Sequence, residues 1–261
     1  MNGSLAQCIA LTAHGRAILA DRMEPVELLT NNTTFQYVRE LKFLDRAGNT
    51  ACKDTLRWFA ALKRQGATAL KLIERSVKAD LPEHLGVAFA GFDPWGLQVD
   101  LREKHEMWVP VWEVARKHKK DNRIWRVTYW SVGLIPSPEQ DDVSQAAAEL
   151  RGALEAIRDF ARGEASDWVA WFDKALDCLN SDRDIPYHPD LLPSVGYRRA
   201  ARRLLASASQ AWVFGGMGSW NDIGVEKPKQ PQYDACSGRL YRAVIGACCV
   251  ATNSFTSAEG L

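Results

Sequence analysis

This 261-residue sequence lacks the motifs that most often assign a chemistry to a chain. No window approaches the roughly 18–20 consecutive apolar residues of a membrane-spanning helix, and no apolar run follows a basic start as in a secretory signal. No Gly-x-Ser-x-Gly elbow is present, which disfavours a serine hydrolase. We therefore expect a cytoplasmic protein without a membrane partner.

Cysteine and histidine are too few and too scattered to predict a metal site. The six cysteines have no Cys-x-x-Cys spacing, and the five histidines have no HExxH, HxH or HxxxH spacing. A catalytic zinc ion would need at least three such ligands converging from distant segments. The sequence therefore predicts neither a metal nor another cofactor, and its cysteines fit free thiols in a reducing compartment.

Charge is balanced overall but unevenly distributed along the chain. The formal net charge is +1, which gives no general attraction to nucleic acid or anionic membrane. Residues 1–138 carry 20 basic and 15 acidic side chains (+5), residues 139–190 carry 5 and 13 (−8), and residues 191–261 carry 8 and 4 (+4). The acidic middle suits a basic partner or another part of the chain, although a solvated helix face is the simpler interpretation.

The pattern of residues 1–136 predicts a mainly antiparallel sheet with two helices. Short apolar runs on either side of a polar tetrapeptide predict a hairpin over residues 9–20. Helical spacing of apolar residues predicts helices over 54–64 and 68–77. Alternation and turn residues predict the other strands, at 35–44, 86–92, 96–101, 106–114 and 123–134.

The proline pair in Pro136-Ser137-Pro138 marks the boundary of a second, helical domain that comprises residues 137–261. Residues 182–194 contain three prolines and are predicted to form a loop. Helices are predicted at 139–162, 168–179, 196–209 and 233–252. Together the two parts predict an α+β fold.

A glycine cluster stands out in the second domain. Gly215, Gly216 and Gly218 lie within four positions and lead into Trp-Asn-Asp at 220–222. The third glycine of a dinucleotide-binding fingerprint and the Lys-Ser/Thr ending of a P-loop are both missing. We therefore predict a tight structural turn that fixes Trp220, rather than a phosphate site.

The glycine cluster also carries a resemblance. Gly-Gly-Met-Gly-Ser-Trp-Asn-Asp, preceded by a tryptophan-bearing helix at 168–176 and followed by Arg239-Leu240-Tyr241, resembles an uncharacterised helical bacterial family with a G-G-M-G-S-[FW]-N-D signature. The resemblance covers roughly residues 164–254, under half of the chain, and the 182–194 loop is longer and richer in proline than that family's pattern. Because the family has no assigned activity, the resemblance implies a module and no reaction.

Aromatic and arginine residues supply the candidate partner-binding positions. Alternation along 106–114 places Trp108 and Trp112 on one face of a strand, and Trp130 lies on the neighbouring strand. Tryptophan and arginine are enriched at the energetic centres of protein interfaces. Arg198 and Arg202 recur four residues apart on a helix, where they suit an internal or partner salt bridge better than nucleic acid.

These observations favour a non-enzymatic bacterial protein-binding module. The leading hypothesis is an immunity or antitoxin protein that occludes a toxin, or else a subunit of a defence complex. One alternative is a hydrolase or nucleotide-processing enzyme with its site at the domain junction near the glycine loop, using His188, Asp190, Asn221 and Asp222. Another is a nucleic-acid-binding protein. A deep pocket with at least two titratable side chains at the glycine loop would favour the enzyme, and a solidly packed loop would exclude it.

Overall fold

The computed structural model describes residues 1–75, 82–87, 94–102, 104–115, 122–133, 142–215 and 217–256. Six strands form one sheet and most helical residues lie in the second half of the chain, which confirms the predicted α+β class. The strands are β1 (Val38–Leu44), β2 (Thr50–Cys52), β3 (Ala69–Glu74), β4 (Trp95–Asp100), β5 (His105–Val114) and β6 (Trp125–Gly133). Their order is β2-β1-β6-β5-β4-β3, and among the described strands only the β1–β6 pair is parallel.

The helices are α1 (Gly3–Leu19), α2 (Leu28–Asn31), α3 (Thr55–Arg64), α4 (Glu83–Gly86), α5 (Val143–Glu164), α6 (Val169–Cys178), α7 (Arg199–Gln210) and α8 (Gln230–Asn253). Short 3-10 turns lie at Thr33–Phe35, Ser166–Trp168, Trp220–Asp222 and Lys227–Lys229. Helices α5 to α8 pack on one another, and α8 also contacts α1 and β3. Within the described residues, no helix is both long enough and apolar enough to cross a membrane.

The predicted hairpin at residues 9–20 is wrong, because this segment belongs to α1. Fourteen of the 17 residues of α1 are buried, since α3, β3, β4 and α8 surround the helix. A helix buried on all sides has no apolar stripe, so its sequence carries no helical period. Small residues allow the close approach: a Cβ on Gly15 would lie 2.2 Å from Leu70 Cδ1 and 2.9 Å from Phe59 Cε1.

The helix predicted at residues 68–77 is also wrong. Residues 69–74 form β3, which pairs antiparallel with β4 at one edge of the sheet. The Asn253 side chain at the end of α8 accepts a hydrogen bond from Leu72 N (2.8 Å) and donates one to Leu72 O (2.9 Å). A side-chain amide thus bonds the free edge of β3 as a neighbouring strand would.

The other predicted elements of the first half are largely confirmed. Strands β1, β4, β5 and β6 and helix α3 lie within two or three residues of their predicted limits. A strand was predicted at 86–92. Residue 86 instead ends α4, and residues 88–92 lie outside the described residues. The predicted boundary at 136–138 also lies outside them, and the division into two domains stays a prediction.

The predicted helices of the second half are confirmed. Helices α5 and α7 are both amphipathic. Helix α5 buries Leu150, Leu154 and Ile157, and helix α7 buries Leu204 and Leu205. Residues 182–194 contain no helix or strand, as three prolines predict. The last helix begins at Gln230, three residues earlier than predicted, with a proline in its first turn.

Candidate functional site

The glycine loop holds Trp220 at the centre of the helical layer. The side chain is fully buried, and its indole N–H donates to Ser237 Oγ (2.8 Å) on α8. Its ring stacks on Tyr233 (centroids 5.7 Å apart) and meets Phe172 of α6 edge-on (5.3 Å). Tyr233 in turn donates to the Trp220 carbonyl (2.8 Å). Trp220 is therefore a packing residue that joins α6 to α8.

The turn around Trp220 satisfies its own backbone. Ser219 Oγ donates to Gly215 O (3.1 Å) and accepts from Asn221 N (3.2 Å). The Asp222 carboxylate accepts from the amides of Gly218 and Ser219 and completes a capping box. Gly218 has φ +83°, a conformation that favours glycine. Because the chain itself already bonds these amides, they do not form a phosphate cradle.

The start of the glycine cluster is less constrained than its end. A Cβ on Gly215 would have no neighbour within 4 Å, so Gly215 serves the turn through its carbonyl, which Ser219 bonds. Gly216 lies outside the described residues. Met217 is fully exposed and contributes nothing to the packing of Trp220. Of the three glycines, Gly218 is therefore the one for which the structure shows a conformational requirement.

A cleft of about 670 Å³ lies beside the glycine loop, between α4 and α8. Asn221 connects the loop to α4, because its Nδ2 donates to His84 O (2.9 Å). The Phe214 ring, just before the glycines, packs against His84 (centroids 6.2 Å apart) and Tyr241 (5.5 Å). The titratable lining residues are Glu83, His84, Asp234, Tyr241 and Arg242.

Two polar atoms of this cleft have no hydrogen-bond partner among the described residues. They are His84 Nε2 and Tyr241 Oη, and the two residues are 2% and 1% exposed. Burial lowers the pKa of His84, against a raising effect of Asp234. Burial, reinforced by Glu74 and Glu83, raises the pKa of the Tyr241 hydroxyl far above its ordinary value. At neutral pH the cleft therefore presents a neutral imidazole and a protonated phenol.

His188 and Asp190 lie elsewhere, against the 3-10 turn Thr33–Phe35. The Asp190 carboxylate accepts from Thr33 N (2.7 Å) and from the Thr33 hydroxyl, and the Asp190 carbonyl accepts from Asn32 Nδ2 (2.7 Å). His188 Nδ1 lies 3.0 Å from Thr33 Oγ1. Since the threonine hydroxyl donates to Asp190, His188 must donate to it through Nδ1–H. These bonds fasten the 182–194 loop to the first half of the chain.

The four predicted acid–base residues are thus divided between two places. Asn221 and Asp222 serve the glycine loop, whereas His188 and Asp190 serve the Thr33–Phe35 turn, and no contact among the described residues joins the pairs. His14 belongs with the second pair, because its Nε2 lies 3.1 Å from Asp190 O. The structure does not bring the predicted set together.

Trp108 and Trp112 share the face of β5 that points toward the helices, as alternation predicts. Trp108 is 5% exposed and packs edge-on against Trp58 (centroids 5.7 Å apart) and Phe43 (6.1 Å). Trp112 is half-buried and meets Trp125 edge-on (5.7 Å). Trp108 is therefore a core residue and has no face to present to a partner, contrary to the interpretation from sequence.

The opposite face of β5 and β6 carries apolar side chains that are partly or largely exposed within the described part of the chain. Val109 and Trp130 are cross-strand neighbours, and so are Met107 and Val132. Trp130 is 37% exposed and Val111 is 45% exposed. We call these five side chains the outer apolar row. Charged residues border it on the same face: Arg126 donates to Glu40 (2.6 Å), which also pairs with Lys42 (2.5 Å).

The arginines of α7 have different partners. Arg199 and Arg203 both pair with Asp182 of the acidic segment (3.2 and 2.8 Å), as the internal alternative predicts. Arg202 is half-buried and donates to the Pro193 carbonyl. Arg198 is exposed at the start of the helix and has no ion pair among the described residues. Of the two predicted contact residues, only Arg198 presents its charge freely.

No protein-family profile matches this chain, and comparison with curated proteins and with solved structures finds no match either. The resemblance to a family with the G-G-M-G-S-[FW]-N-D signature stays a prediction. Among the described residues, no group of three or more histidine, cysteine or carboxylate side chains is arranged to hold a metal ion.

Sequence reasoning missed His84 and Tyr241. They lie 157 positions apart, and Tyr241 belongs only to the Arg239-Leu240-Tyr241 run of the resemblance, which assigns it no functional role. Their meeting depends on how α4 is held against α8 by Asn221 and Phe214. The nearest feature that the sequence shows is the glycine cluster. It indicates a turn, but it does not indicate that the turn holds α4 against α8.

Proposed function

We propose that this chain is a non-enzymatic protein-binding module whose contact surface is the outer apolar row of β5 and β6. The observation that carries the proposal is the exposure of Val111 and Trp130 on a face that also holds three other apolar side chains. An apolar centre bordered by charged residues is the usual anatomy of a protein interface. Trp130 has the residue type that most often dominates binding energy there.

The form of the surface favours a role in which the chain binds and blocks a partner protein over one in which it catalyses a reaction. The row lies on two long paired strands in the interior of a sheet, so it is held in place before binding. The bordering Glu40, Lys42 and Arg126 carry both signs of charge, which suits a specific protein surface better than a nucleic acid. An immunity or antitoxin protein, or a subunit of a defence complex, needs such a surface and no catalytic set.

The test uses co-expression with the product of the neighbouring gene, followed by titration calorimetry on the purified pair. Val111→Asp should weaken the complex at least a hundredfold, because it places a charge in the apolar centre. Val114→Asp is the matched control: it lies on the opposite face of the same strand and is 61% exposed. Equal affinity of both variants, or no complex with the wild-type chain, would exclude this surface.

A second candidate function rests on the cleft beside the glycine loop. Two buried polar atoms without a partner among the described residues are costly unless a ligand completes their hydrogen bonds. A neutral imidazole can act as a base, and a phenol that stays protonated can donate a hydrogen bond to the oxyanion that develops during hydrolysis. This site differs from the predicted set, since it uses His84 and Tyr241 instead of His188 and Asp190.

Chromogenic phosphate and carboxylate esters would test this alternative. Turnover that falls at least a hundredfold in both His84→Asn and Tyr241→Phe would support a hydrolase at the cleft. His188→Asn is the control, because His188 bonds the Thr33–Phe35 turn and does not line the cleft. Absence of turnover, or turnover that survives both substitutions, would exclude it for these esters.

A further inference from the structure

A larger cleft, of about 870 Å³, opens at one end of the sheet. The turn between β1 and β2 supplies Arg46, and the turn between β4 and β5 supplies Arg102 and Lys104. Trp108 and its cross-strand neighbour Ser131 line the same cleft. The volume lies within the roughly 300–1,000 Å³ typical of small-molecule sites. Neither proposed function uses this cleft.

Each arginine of the cleft lies against a glycine. A Cβ on Gly133, the last residue of β6, would lie 3.3 Å from Arg46 Nη2. A Cβ on Gly66, which has φ +75°, would lie 3.7 Å from Arg102 Nε. The Gly133 contact is tight, so the missing side chain there makes room for the Arg46 guanidinium group, whereas the Gly66 distance is an ordinary contact and Gly66 is favoured by its positive φ.

The acidic residues of the cleft are already bonded, whereas its arginines are not ion-paired within the described part of the chain. Asp45 accepts hydrogen bonds from Ala47 N and Asn49 N (2.9 Å each) inside its own turn. Glu106 pairs with Lys104 (2.6 Å). Neither Arg46 nor Arg102 forms an ion pair with a described carboxylate, and the described lining, with three basic and two acidic side chains, carries one net positive charge.

Trp108 forms part of the floor of the cleft. Trp108 is 5% exposed, and its indole N–H has no acceptor among the described residues. This N–H is itself buried beneath the surface of the cleft, so the charged donors that a ligand reaches are the guanidinium groups of the two turns. The two carboxylates of the described lining are already hydrogen-bonded.

We propose that this cleft binds a small organic oxyanion, with its phosphate or carboxylate group held between Arg46 and Arg102. Guanidinium groups bind both kinds of oxyanion through paired N–H donors. The volume of the cleft suits a small molecule better than an extended polyanion. The proposal is independent of the protein-binding function, because it concerns the strand ends and not the outer apolar row.

Titration calorimetry with pyrophosphate and with citrate, at one fixed ionic strength, tests the proposal. We expect saturable one-to-one binding of at least one probe, and the better probe identifies the preferred oxyanion. Arg46→Gln and Arg102→Gln should each weaken that binding about tenfold or more, as for a lost charged hydrogen bond. Arg198→Gln is the matched control, since Arg198 is an exposed arginine outside the cleft.

A second variant changes the position of Arg46 without changing the charge. Gly133→Ala adds a methyl group 3.3 Å from Arg46 Nη2 and should weaken binding, whereas Gly246→Ala, with no neighbour within 4 Å, should not. Circular dichroism and thermal unfolding would show whether each variant is folded. The proposal is overturned if neither probe binds saturably, or if Arg198→Gln weakens binding as much as the two cleft variants do.

Discussion

Buried hydroxyl groups of two tyrosines show how residues of the same type differ in role. Tyr197 Oη donates to Thr252 O (2.9 Å), so it contributes to the packing of α8. Tyr241 Oη, which is also buried, has no partner among the described residues. A buried polar atom without a partner lowers stability and is retained where a ligand uses it. Removal of the hydroxyl group is therefore expected to change the free energy of unfolding differently at the two tyrosines.

Tyr197→Phe should lower the free energy of unfolding by about 1–2 kcal/mol, because it leaves the Thr252 carbonyl without its donor. Tyr241→Phe should leave that free energy unchanged or raise it, because it removes an unsatisfied group. Urea denaturation of the two variants and the wild type measures both values. A loss in Tyr241→Phe as large as that in Tyr197→Phe would mean that the Tyr241 hydroxyl already has a structural partner.

At the scale of elements, sequence patterns identified those helices and strands that have one buried face. Helix α5 and strand β5 each show the periodicity of a half-buried element, and their limits were predicted within a few residues. Helix α1 has no polar face, so its small apolar residues fit a helix or a strand equally well. Strand β3 places Leu70, Leu72 and Ile73 in the interior, a spacing that also matches one turn of a helix.

The candidate sites were less predictable than the elements. The turn at the glycine cluster followed from composition, because glycine adopts positive φ without strain. The cleft beside it depends on the contact between His84 and Asn221, which are separated by 137 positions. Arg46 and Arg102 likewise line one cleft only because the β1–β2 and β4–β5 turns lie at the same end of the sheet. Contacts of this kind follow from topology, which local patterns do not encode.

The edge of β3 gives a prediction at the scale of an element. Asn253→Ala removes both hydrogen bonds to Leu72 and should lower the free energy of unfolding by about 1–3 kcal/mol, since two backbone groups lose their partner. Amide exchange at Leu72 should also become faster. Asn180→Ala is the control, because Asn180 is exposed and its Oδ1 bonds Arg151 at the surface. Unchanged exchange at Leu72 would show that water replaces Asn253 without cost.

At the scale of the whole molecule, α1 connects the sheet to the helical layer. It packs on β3 and β4 at one side and on α8 at the other, so residues from both halves of the chain form one apolar core. The His14–Asp190 contact adds a polar link between the same halves. Burial of this link has a consequence for the dependence of stability on pH.

Burial is the largest cause of a lowered pKa at three histidines, His14, His84 and His188, relative to their ordinary 6.5. Below pH 6.5 the unfolded chain therefore binds more protons than the folded chain, and acidification favours unfolding. Above about pH 7 both states are largely neutral at these sites, and the effect fades. The carboxylates whose pKa is lowered, which are Glu40, Asp45, Asp100 and Asp182, lose their stabilising contribution only at pH values below about 4.

The free energy of unfolding should consequently fall as the pH is lowered from about 7 to about 5, by about 1.4 kcal/mol for each unit by which folding lowers a histidine pKa. Urea denaturation at closely spaced pH values measures the slope. His14→Asn should reduce it, because protonation of His14 would place a second N–H at Nδ1, which has no acceptor among the described residues. Burial raises the pKa of Glu74, and this opposes the histidine effect, so the comparison with His14→Asn decides: a slope that this variant leaves unchanged would mean that His14 is solvated in the folded chain. In that case the link between α1 and Asp190 would be open to water.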